Sequence, residues 1–271
     1  MIVDYHMHLR DASAAISHSR ESVTPFVETA LARGIDEIGF TEHVYYFHQT
    51  AEIWQVPYMS ERCTYDLEAY CDAVLEAKRE GLPVKLGVEV DYVGERQARL
   101  TELLAPYPFD FRLGSVHWLG ELAVDMSPGA WDVMTVDEVW QRYVDALCEL
   151  TFSGAVDALA HPDLAKIFGR RPRPELLAEL HERVALAVGA AGLAVEVSTA
   201  GLRKPVGELY PDVELLRACA RKGAPITLAS DAHEPALVGE AIGEAVALAR
   251  DAGCETVAVF EGGTMSLAPL G

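Results

Sequence analysis

Positively charged side chains are scarce in this sequence. Its 271 residues include 22 Lys and Arg against 42 Asp and Glu, which gives a formal net charge of −20 at pH 7. A surface of this sign repels phosphate backbones, so we expect no general nucleic-acid partner. Part of the acidic excess would be neutralised if several carboxylates hold metal cations. The rest is expected to be solvated surface.

Long apolar runs and paired cysteines are also missing. No window approaches the roughly 20 consecutive apolar residues that cross a bilayer, so we expect no membrane partner. The first ten residues, MIVDYHMHLR, lack the basic and apolar regions of a secretion signal. Five cysteines without CxxC spacing are typical of reduced packing residues, and they favour a cytoplasmic protein.

No segment of the sequence marks a domain boundary. Linkers rich in Pro, Ser or Gly, charge blocks and repeats of solenoid period are all lacking. Half of the residues are apolar, which suits a compact α/β unit with a closed core. We therefore interpret residues 1–271 as a single domain.

Short β-rich segments alternate with helical ones along the chain. The predicted strands are Met1–Tyr5, Glu37–Phe40, Val84–Val90, Phe111–Ser115, Ala155–Ala160, Ala194–Val197 and Ile226–Ala229. The predicted helices are Ser22–Arg33, Tyr65–Glu80, Val136–Ser153, Pro174–Ala191, Pro211–Lys222 and Leu237–Ala252, followed by a last short apolar run, Thr256–Phe260. Repeated β-then-α order predicts a parallel sheet, which seven units can close into a barrel or leave open.

Polar residues at the strand ends distinguish these two arrangements. Six of the seven predicted strands are followed by, or end in, histidine or a carboxylate. These residues are His6 and His8, Glu42 and His43, Glu89 and Asp91, His117, His161, and Asp231 with His233. In a β/α barrel the carboxyl ends of the strands converge on one face, where active sites are built.

Imidazole and carboxylate are ligands that zinc, iron and manganese accept. His6 and His8 are two residues apart, so on an extended strand they point to the same side. A lone histidine after a strand is more often a hydrogen-bonded core or surface residue, and Asp231 alone could cap a helix. Recurrence at one structural position on separate strands favours a metal site.

Seven segments in order, DYHMHL, TEH, GVEVDY, GSVHWLG, AHPDL, VSTAGLRKP and ASDAH, resemble the PHP family. Within it they resemble most the monofunctional histidinol-phosphate phosphatases, from Ile2 to about Gly262. The HxH and DAH segments alone are weak signals, whereas GSVHWLG and VSTAGLRKP at this spacing are more specific. The resemblance implies a distorted (β/α)7 barrel with two to three divalent ions of zinc, iron or manganese.

The resemblance also implies a division of the ligands among three ions. The first would be held by His6, His8, Glu89 and Asp231, the second by the bridging Glu89 with His117 and His161, and the third by His18, His43 and His233. His18 follows an apparent insertion, Leu9–Ile16, and could instead be a surface loop residue. Glu42 is interpreted as a partner behind the ligands.

Such a centre hydrolyses phosphate esters with activated water. Two close metal ions bring a shared water toward ionisation near neutral pH, and the resulting hydroxide attacks phosphorus opposite the departing alcohol. Glu89 would bridge the ions and Asp231 would shuttle the proton. The sequence has neither the Cys-x5-Arg loop of thiol phosphatases nor the DxDx[TV] run of aspartyl-phosphate enzymes.

Substrate recognition is less visible in the sequence. Arg203 and Lys166 follow strands on the predicted catalytic face and could grip a phosphate, although either could be solvated surface charge. Tyr45, Tyr46, Trp54 or Trp118 could stack on an imidazole or simply pack.

The predicted activity is hydrolysis of L-histidinol phosphate to L-histidinol and phosphate in histidine biosynthesis. The predicted partner is thus a small-molecule phosphate monoester. The alternatives are a PHP phosphoesterase acting on nucleotides or short oligonucleotides, and a metal-binding structural or regulatory protein without turnover.

Overall fold

Seven parallel strands form the centre of the molecule. The computed structural model describes residues 1–10 and 15–271. The seven strands run in the sheet order β1-β2-β3-β4-β7-β8-β9. Their bounds are β1 Val3–Asp4, β2 Glu37–Phe40, β3 Val84–Asp91, β4 Phe111–Ser115, β7 Ala158–Leu159, β8 Ala194–Ser198 and β9 Ile226–Ala229. A small antiparallel ribbon, β5 Trp118–Leu119 with β6 Leu122–Ala123, lies outside this sheet.

The sheet closes between its first and last strands. Tyr5 N donates to the Leu228 carbonyl at 3.0 Å, and His8 N donates to the Ala232 carbonyl at 2.8 Å. Met7 and Ala232 form a parallel bridge beyond the two strands. The predicted distorted (β/α)7 barrel is thereby confirmed, and the open sheet is excluded.

Eight helices lie among the described residues, most of them outside the barrel. They are α1 Arg20–Ala32, α2 Pro57–Ser60, α3 Leu67–Arg79, α4 Gln97–Leu104, α5 Val136–Phe152, α6 Pro174–Ala191, α7 Val213–Arg221 and α8 Ile242–Asp251. Thr135 and Glu138 form a reciprocal capping box that starts α5. Across the described part of the chain, every helix is too short or too polar to cross a membrane.

Two barrel strands, β1 and β7, are shorter than the sequence predicts. Met1–Tyr5 reduces to Val3–Asp4, and Ala155–Ala160 reduces to Ala158–Leu159. The chain remains paired beyond the second of these ladders, since Ala160 N donates to the Gly114 carbonyl at 2.9 Å. Most of the residues outside the regular ladders lie at the amino-terminal ends, where Ile2 and Asp157 still form backbone hydrogen bonds with the neighbouring segments.

The last apolar run forms a hairpin that the sequence analysis did not predict. β10 (Thr256–Glu261) pairs antiparallel with β11 (Thr264–Pro269). Phe260 stacks on Phe111, the first residue of β4, with ring centroids 5.2 Å apart. A Cβ on Gly39 or Gly87 would lie 2.7 Å from the Phe111 ring, so glycine at both positions makes room for it. The hairpin therefore covers the amino-terminal end of the barrel and leaves the opposite end open.

Asp4 anchors the segment that follows β9. This fully buried carboxylate accepts hydrogen bonds from Ser230 N at 2.8 Å, Ser230 Oγ at 2.5 Å and Gly239 N at 2.8 Å. Burial raises the pKa of Asp4 to about 6, against the opposing effect of these hydrogen bonds. The anchored segment includes Asp231 and His233. Asp4, on the first strand, therefore fixes the position of two candidate ligands that follow the last strand.

We predict that Asp4→Ala destabilises the fold by at least about 2 kcal/mol, because buried donors left unpaired cost about 1–3 kcal/mol each. Urea unfolding monitored by circular dichroism measures this change. Asp132→Ala is the control, since that carboxylate is largely exposed and pairs with the surface cation Arg170. Equal stability of the two variants would contradict the anchoring role.

Candidate metal centre at the barrel mouth

The carboxyl ends of the strands bring the predicted ligands to one pocket. This cavity of about 350 Å³ is lined by His43, Glu89, His117, His161, Asp231 and His233, together with residues of the surrounding loops. His6 and His8 are buried at its base. The ligands thus come from separate strands and meet only because the barrel is closed.

Glu89 lies at the centre of this arrangement. Its Oε2 is 3.4 Å from His6 Nε2 and 3.7 Å from His8 Nε2. Its Oε1 is 3.5 Å from His117 Nε2 and 3.4 Å from His161 Nε2. His43 Nδ1 lies closer still, 2.7 Å from Oε2. One carboxylate therefore faces five imidazoles, three at Oε2 and two at Oε1, as a bridging ligand would.

The surrounding residues form four overlapping groups whose ligand atoms lie within 4.8 Å of one another. They are His6–His8–Asp231, His6–Glu89–His161, His8–His43–His233 and His43–Asp91–His117. The first group contains three of the residues predicted for the first ion. The second combines His6, predicted for the first ion, with Glu89 and His161 of the second. In the third, His8 stands where His18 was predicted, and the fourth adds Asp91.

Several of these buried ligand atoms lack hydrogen-bond partners. Among the described residues, both Glu89 oxygens and Nε2 of His6 and His8 are enclosed without such a bond. Buried polar atoms normally have partners, because leaving them unpaired is costly. A cation among them would satisfy all of these lone pairs, so the residues fit divalent metal ions.

The electrostatics of the pocket also favour positive charge. Burial alone would raise the pKa of Glu89, but His43, His6 and His117 hold it well below its usual range. Burial lowers the pKa of His117, but Glu89 and Asp91 more than reverse this and raise it to about 10. Glu89 is thus a carboxylate at neutral pH, as a metal ligand must be.

Further carboxylates lie behind the histidines and orient their rings. Asp91 Oδ1 is 2.7 Å from His117 Nδ1, and Glu196 Oε2 is 2.8 Å from His6 Nδ1. Glu42 Oε2 is 3.5 Å from His8 Nδ1, behind the ligands as expected for it. In each case one ring nitrogen faces a carboxylate while the other faces Glu89, and for His6 and His117 the first contact is of hydrogen-bond length.

His18 is placed apart from the four groups. Its Nε2 is 3.7 Å from Glu42 Oε1, and its ring packs edge-on against Tyr65 and Tyr70. Its role as a ligand stays a prediction. The expected insertion, Leu9–Ile16, falls partly on residues 11–14, outside the described part of the chain.

Arg203 and Lys166 have other partners than the pocket. Arg203 donates to the backbone carbonyl of Ser230 and pairs with Glu240 at 3.1 Å. Lys166 is 1% exposed, donates to the Leu209 carbonyl at 2.7 Å and pairs with Asp163 at 2.9 Å. Neither residue lines the cavity. Their contact with substrate stays a prediction.

The cavity wall contains charged residues that sequence reasoning missed. They are Arg10, Arg62, Asp125 and Lys204. Arg10 could have been noticed, since it continues the two-residue spacing of His6 and His8. Of the four proposed aromatic residues, Tyr45, Tyr46 and Trp118 line this cavity and Trp54 lines a neighbouring one.

Comparisons with known proteins agree with this geometry. A probable histidinol-phosphatase of Deinococcus radiodurans is 32% identical over 259 residues, covering 94% of this chain and 95% of the relative. The histidinol-phosphatase of Bacillus subtilis is 25% identical over 249 residues, covering 82% and 91% of the two chains.

Solved structures show the same fold. The histidinol phosphate phosphatase of Lactococcus lactis, complexed with zinc, L-histidinol and phosphate, has a TM-score of 0.78 at 24% identity and covers 98% of both chains. A putative histidinol phosphatase of Listeria monocytogenes has a TM-score of 0.73 at 19% identity, covering 89% of this chain and 99% of its own. The PHP domain profile matches residues 4–200. With these matches and the ligand arrangement at the barrel mouth, the chain belongs to the PHP domain family.

Proposed function

We propose that this protein is a metal-dependent phosphatase that hydrolyses L-histidinol phosphate to L-histidinol and phosphate. The observation that carries this proposal is the convergence of five imidazoles on the two oxygens of buried Glu89. The activity named for the relatives supports the choice of substrate. We place the reaction in the cytoplasm, in histidine biosynthesis, with residues 1–271 acting as one catalytic domain.

Two to three divalent ions would be held by His6, His8, His43, Glu89, His117, His161, Asp231 and His233, with His18, 3.7 Å from Glu42 Oε1, as a ninth candidate. When bound, such ions make water acidic enough to ionise near neutral pH and neutralise charge on the phosphate. Glu89 would keep neighbouring ions together through its two oxygens. Zinc, iron and manganese all suit this mixture of nitrogen and oxygen donors.

Asp231 is placed to move the proton. Burial would raise the pKa of Asp231, but His6 and His233 hold it well below its usual range, so Asp231 is a carboxylate at neutral pH. Its side chain borders the cavity. From this position, with Oδ1 3.4 Å from His8 Nε2, we assign it to accept a proton from the attacking water and pass it to the departing alcohol oxygen.

Three basic residues at the cavity wall can bind the phosphate oxygens. Arg10 is held by a 2.6 Å hydrogen bond to Tyr46 Oη, and Arg62 lies 3.6 Å above the Tyr58 ring. Lys204 is exposed at the rim. We assign the phosphate contact to these three residues in preference to Arg203 and Lys166, because the donors of those two side chains are hydrogen-bonded elsewhere. Arg203 instead contacts the Ser230 and Asp231 carbonyls and so supports the segment that carries Asp231.

Asp125 adds a negative charge to the cavity wall. It follows Val124, whose N donates to the His117 carbonyl at 2.8 Å, and its charge contributes to the raised pKa of His117. Within the described chain Asp125 forms no ion pair. Histidinol phosphate carries an ammonium group on the carbon next to its ester-bearing carbon. We assign Asp125 to this ammonium and Trp118 to the imidazole beside it.

We predict that the metal-loaded enzyme hydrolyses histidinol phosphate at least about tenfold faster, in kcat/KM, than nucleoside monophosphates, nucleoside bisphosphates or short oligonucleotides. Discrimination of one decade corresponds to about 1.4 kcal/mol, within reach of one charge-assisted contact. Phosphate release is measured before and after exhaustive chelation, which is expected to abolish it. Preference for a nucleotide would support the second candidate, while full activity after chelation would overturn the metal mechanism.

Asp125→Asn is expected to lower kcat/KM for histidinol phosphate roughly ten- to hundred-fold, since a charge-assisted hydrogen bond is worth about 1.5–3 kcal/mol. The same variant should hydrolyse 4-nitrophenyl phosphate, which has no cation, at the wild-type rate. Glu121→Gln is the control, because this exposed acid, four residues before Asp125, lines a different cavity. An equal loss with both substrates would mean that Asp125 acts on the metal ligands instead.

A further inference from the structure

Glu196 is the one acidic residue of β8, and it contacts ligands from two other strands. Its side chain is fully buried. Oε2 lies 2.8 Å from His6 Nδ1, and Oε1 accepts a hydrogen bond from His161 N at 3.0 Å. Among the predicted strands, only the one that corresponds to β8 was assigned no metal ligand. The carboxylate of Glu196 on this strand nevertheless contacts two predicted ligands, His6 and His161.

The two contacted histidines lie on opposite sides of Glu89. His6 Nε2 is 3.4 Å from Oε2 of Glu89, and His161 Nε2 is 3.4 Å from Oε1. A shift of the His6 ring would alter the surroundings of Oε2, and a shift of the His161 ring would alter those of Oε1. Glu196 therefore holds both sides of the centre from behind.

The backbone of His161 needs such support. Its φ is +25°, in a region that residues with a side chain rarely adopt. Such conformations persist only where neighbouring contacts hold them. The bond from His161 N to Glu196 is one such contact, and Tyr143 Oη donates to the His161 carbonyl at 3.2 Å.

Both oxygens of Glu196 thus act as acceptors. Since a backbone N–H can only donate, Oε1 must be the acceptor of the hydrogen bond from His161 N. Oε2 then accepts from His6, whose proton must lie on Nδ1. The lone pair of His6 is consequently on Nε2, the nitrogen that faces Glu89 and Asp231.

We propose that Glu196 is a positioning residue that fixes the metal-binding tautomer of His6 and the backbone of His161, so that metal affinity on both sides of Glu89 depends on it. The inference rests on the proposed metal-dependent function. It assigns no contact between Glu196 and substrate.

Glu196→Gln tests this assignment with almost no change of volume. The amide has one acceptor oxygen and one donor NH2 group. The His161 N–H takes the oxygen, because the opposite orientation would place two donors against each other. The NH2 group then faces His6 Nδ1, which must accept, and the proton moves to Nε2. In this tautomer the lone pair of His6 is on Nδ1, so Nε2 has none to offer a metal.

The experiment measures zinc affinity by chelator competition in the wild type, Glu196→Gln and Glu196→Asp. We expect a roughly ten- to hundred-fold weaker affinity for Glu196→Gln, the loss typical when a carboxylate behind a ligating histidine is changed. Glu196→Asp keeps two acceptors and should bind zinc more tightly than Glu196→Gln. Glu214→Gln, a surface carboxylate paired with Arg217, is the control and should match the wild type.

Two further measurements separate positioning from general support of the fold. Nitrogen-15 NMR of the zinc-loaded wild type should show the His6 proton on Nδ1. Metal-free Glu196→Gln should unfold within about 2–4 °C of the metal-free wild type, the shift that about 1 kcal/mol produces. Unchanged zinc affinity in Glu196→Gln would overturn the inference, as would a larger loss in Glu196→Asp.

These readouts do not depend on turnover. A wild type that binds zinc and fails to hydrolyse histidinol phosphate overturns the proposed function and leaves the role of Glu196 open to the affinity test. A wild type that is active while Glu196→Gln keeps full zinc affinity overturns only the role of Glu196.

Discussion

The burial of the Glu89 carboxylate at the barrel mouth is the constraint on which the site depends. A buried carboxylate without compensation is costly, and Glu89 is surrounded by imidazoles and by the further carboxylates Asp91 and Asp231. Among the described residues neither of its oxygens accepts a well-formed hydrogen bond, although His43 Nδ1 lies 2.7 Å from Oε2. Divalent cations would offset this energetic cost, because they add positive charge and accept lone pairs from the carboxylate oxygens.

The fold keeps stability and chemistry at opposite ends. The hairpin of β10 and β11 covers the amino-terminal end, with Phe260 stacked on Phe111. At the other end the strands leave their ladders and present polar side chains, and Asp4 secures the segment with Asp231 and His233 from below. Strained backbone is concentrated there as well, since His161 and Asp231 both have positive φ.

Much of this arrangement could be predicted from sequence because it depends on local periodicity. The two-residue spacing of His6 and His8, and the recurrence of histidine after successive strands, follow from strand geometry and barrel closure. The barrel and the membership in the PHP family are confirmed. The hairpin was missed because a single short apolar run does not reveal its antiparallel partner.

Side chains on loops could not be placed in the same way. Arg203 and Lys166 follow strands, as the ligands do, but the direction of a long side chain depends on loop conformation that periodicity does not fix. Glu196 lies in the buried run AVEVS. A buried acid is normally paired with another residue, but the sequence does not show which residue that is. Its partners, His6 and His161, are distant in sequence and become neighbours only in the closed barrel.

The central claim is that Glu89 bridges metal ions, and anomalous X-ray diffraction at the zinc edge tests it most directly. In crystals of the zinc-loaded protein we predict at least two anomalous peaks, each about 2.0–2.2 Å from an oxygen of Glu89. One peak should lie beside His6 and His8, and another beside His117 and His161. Peaks that avoid Glu89, or that lie outside the barrel mouth, would contradict the account.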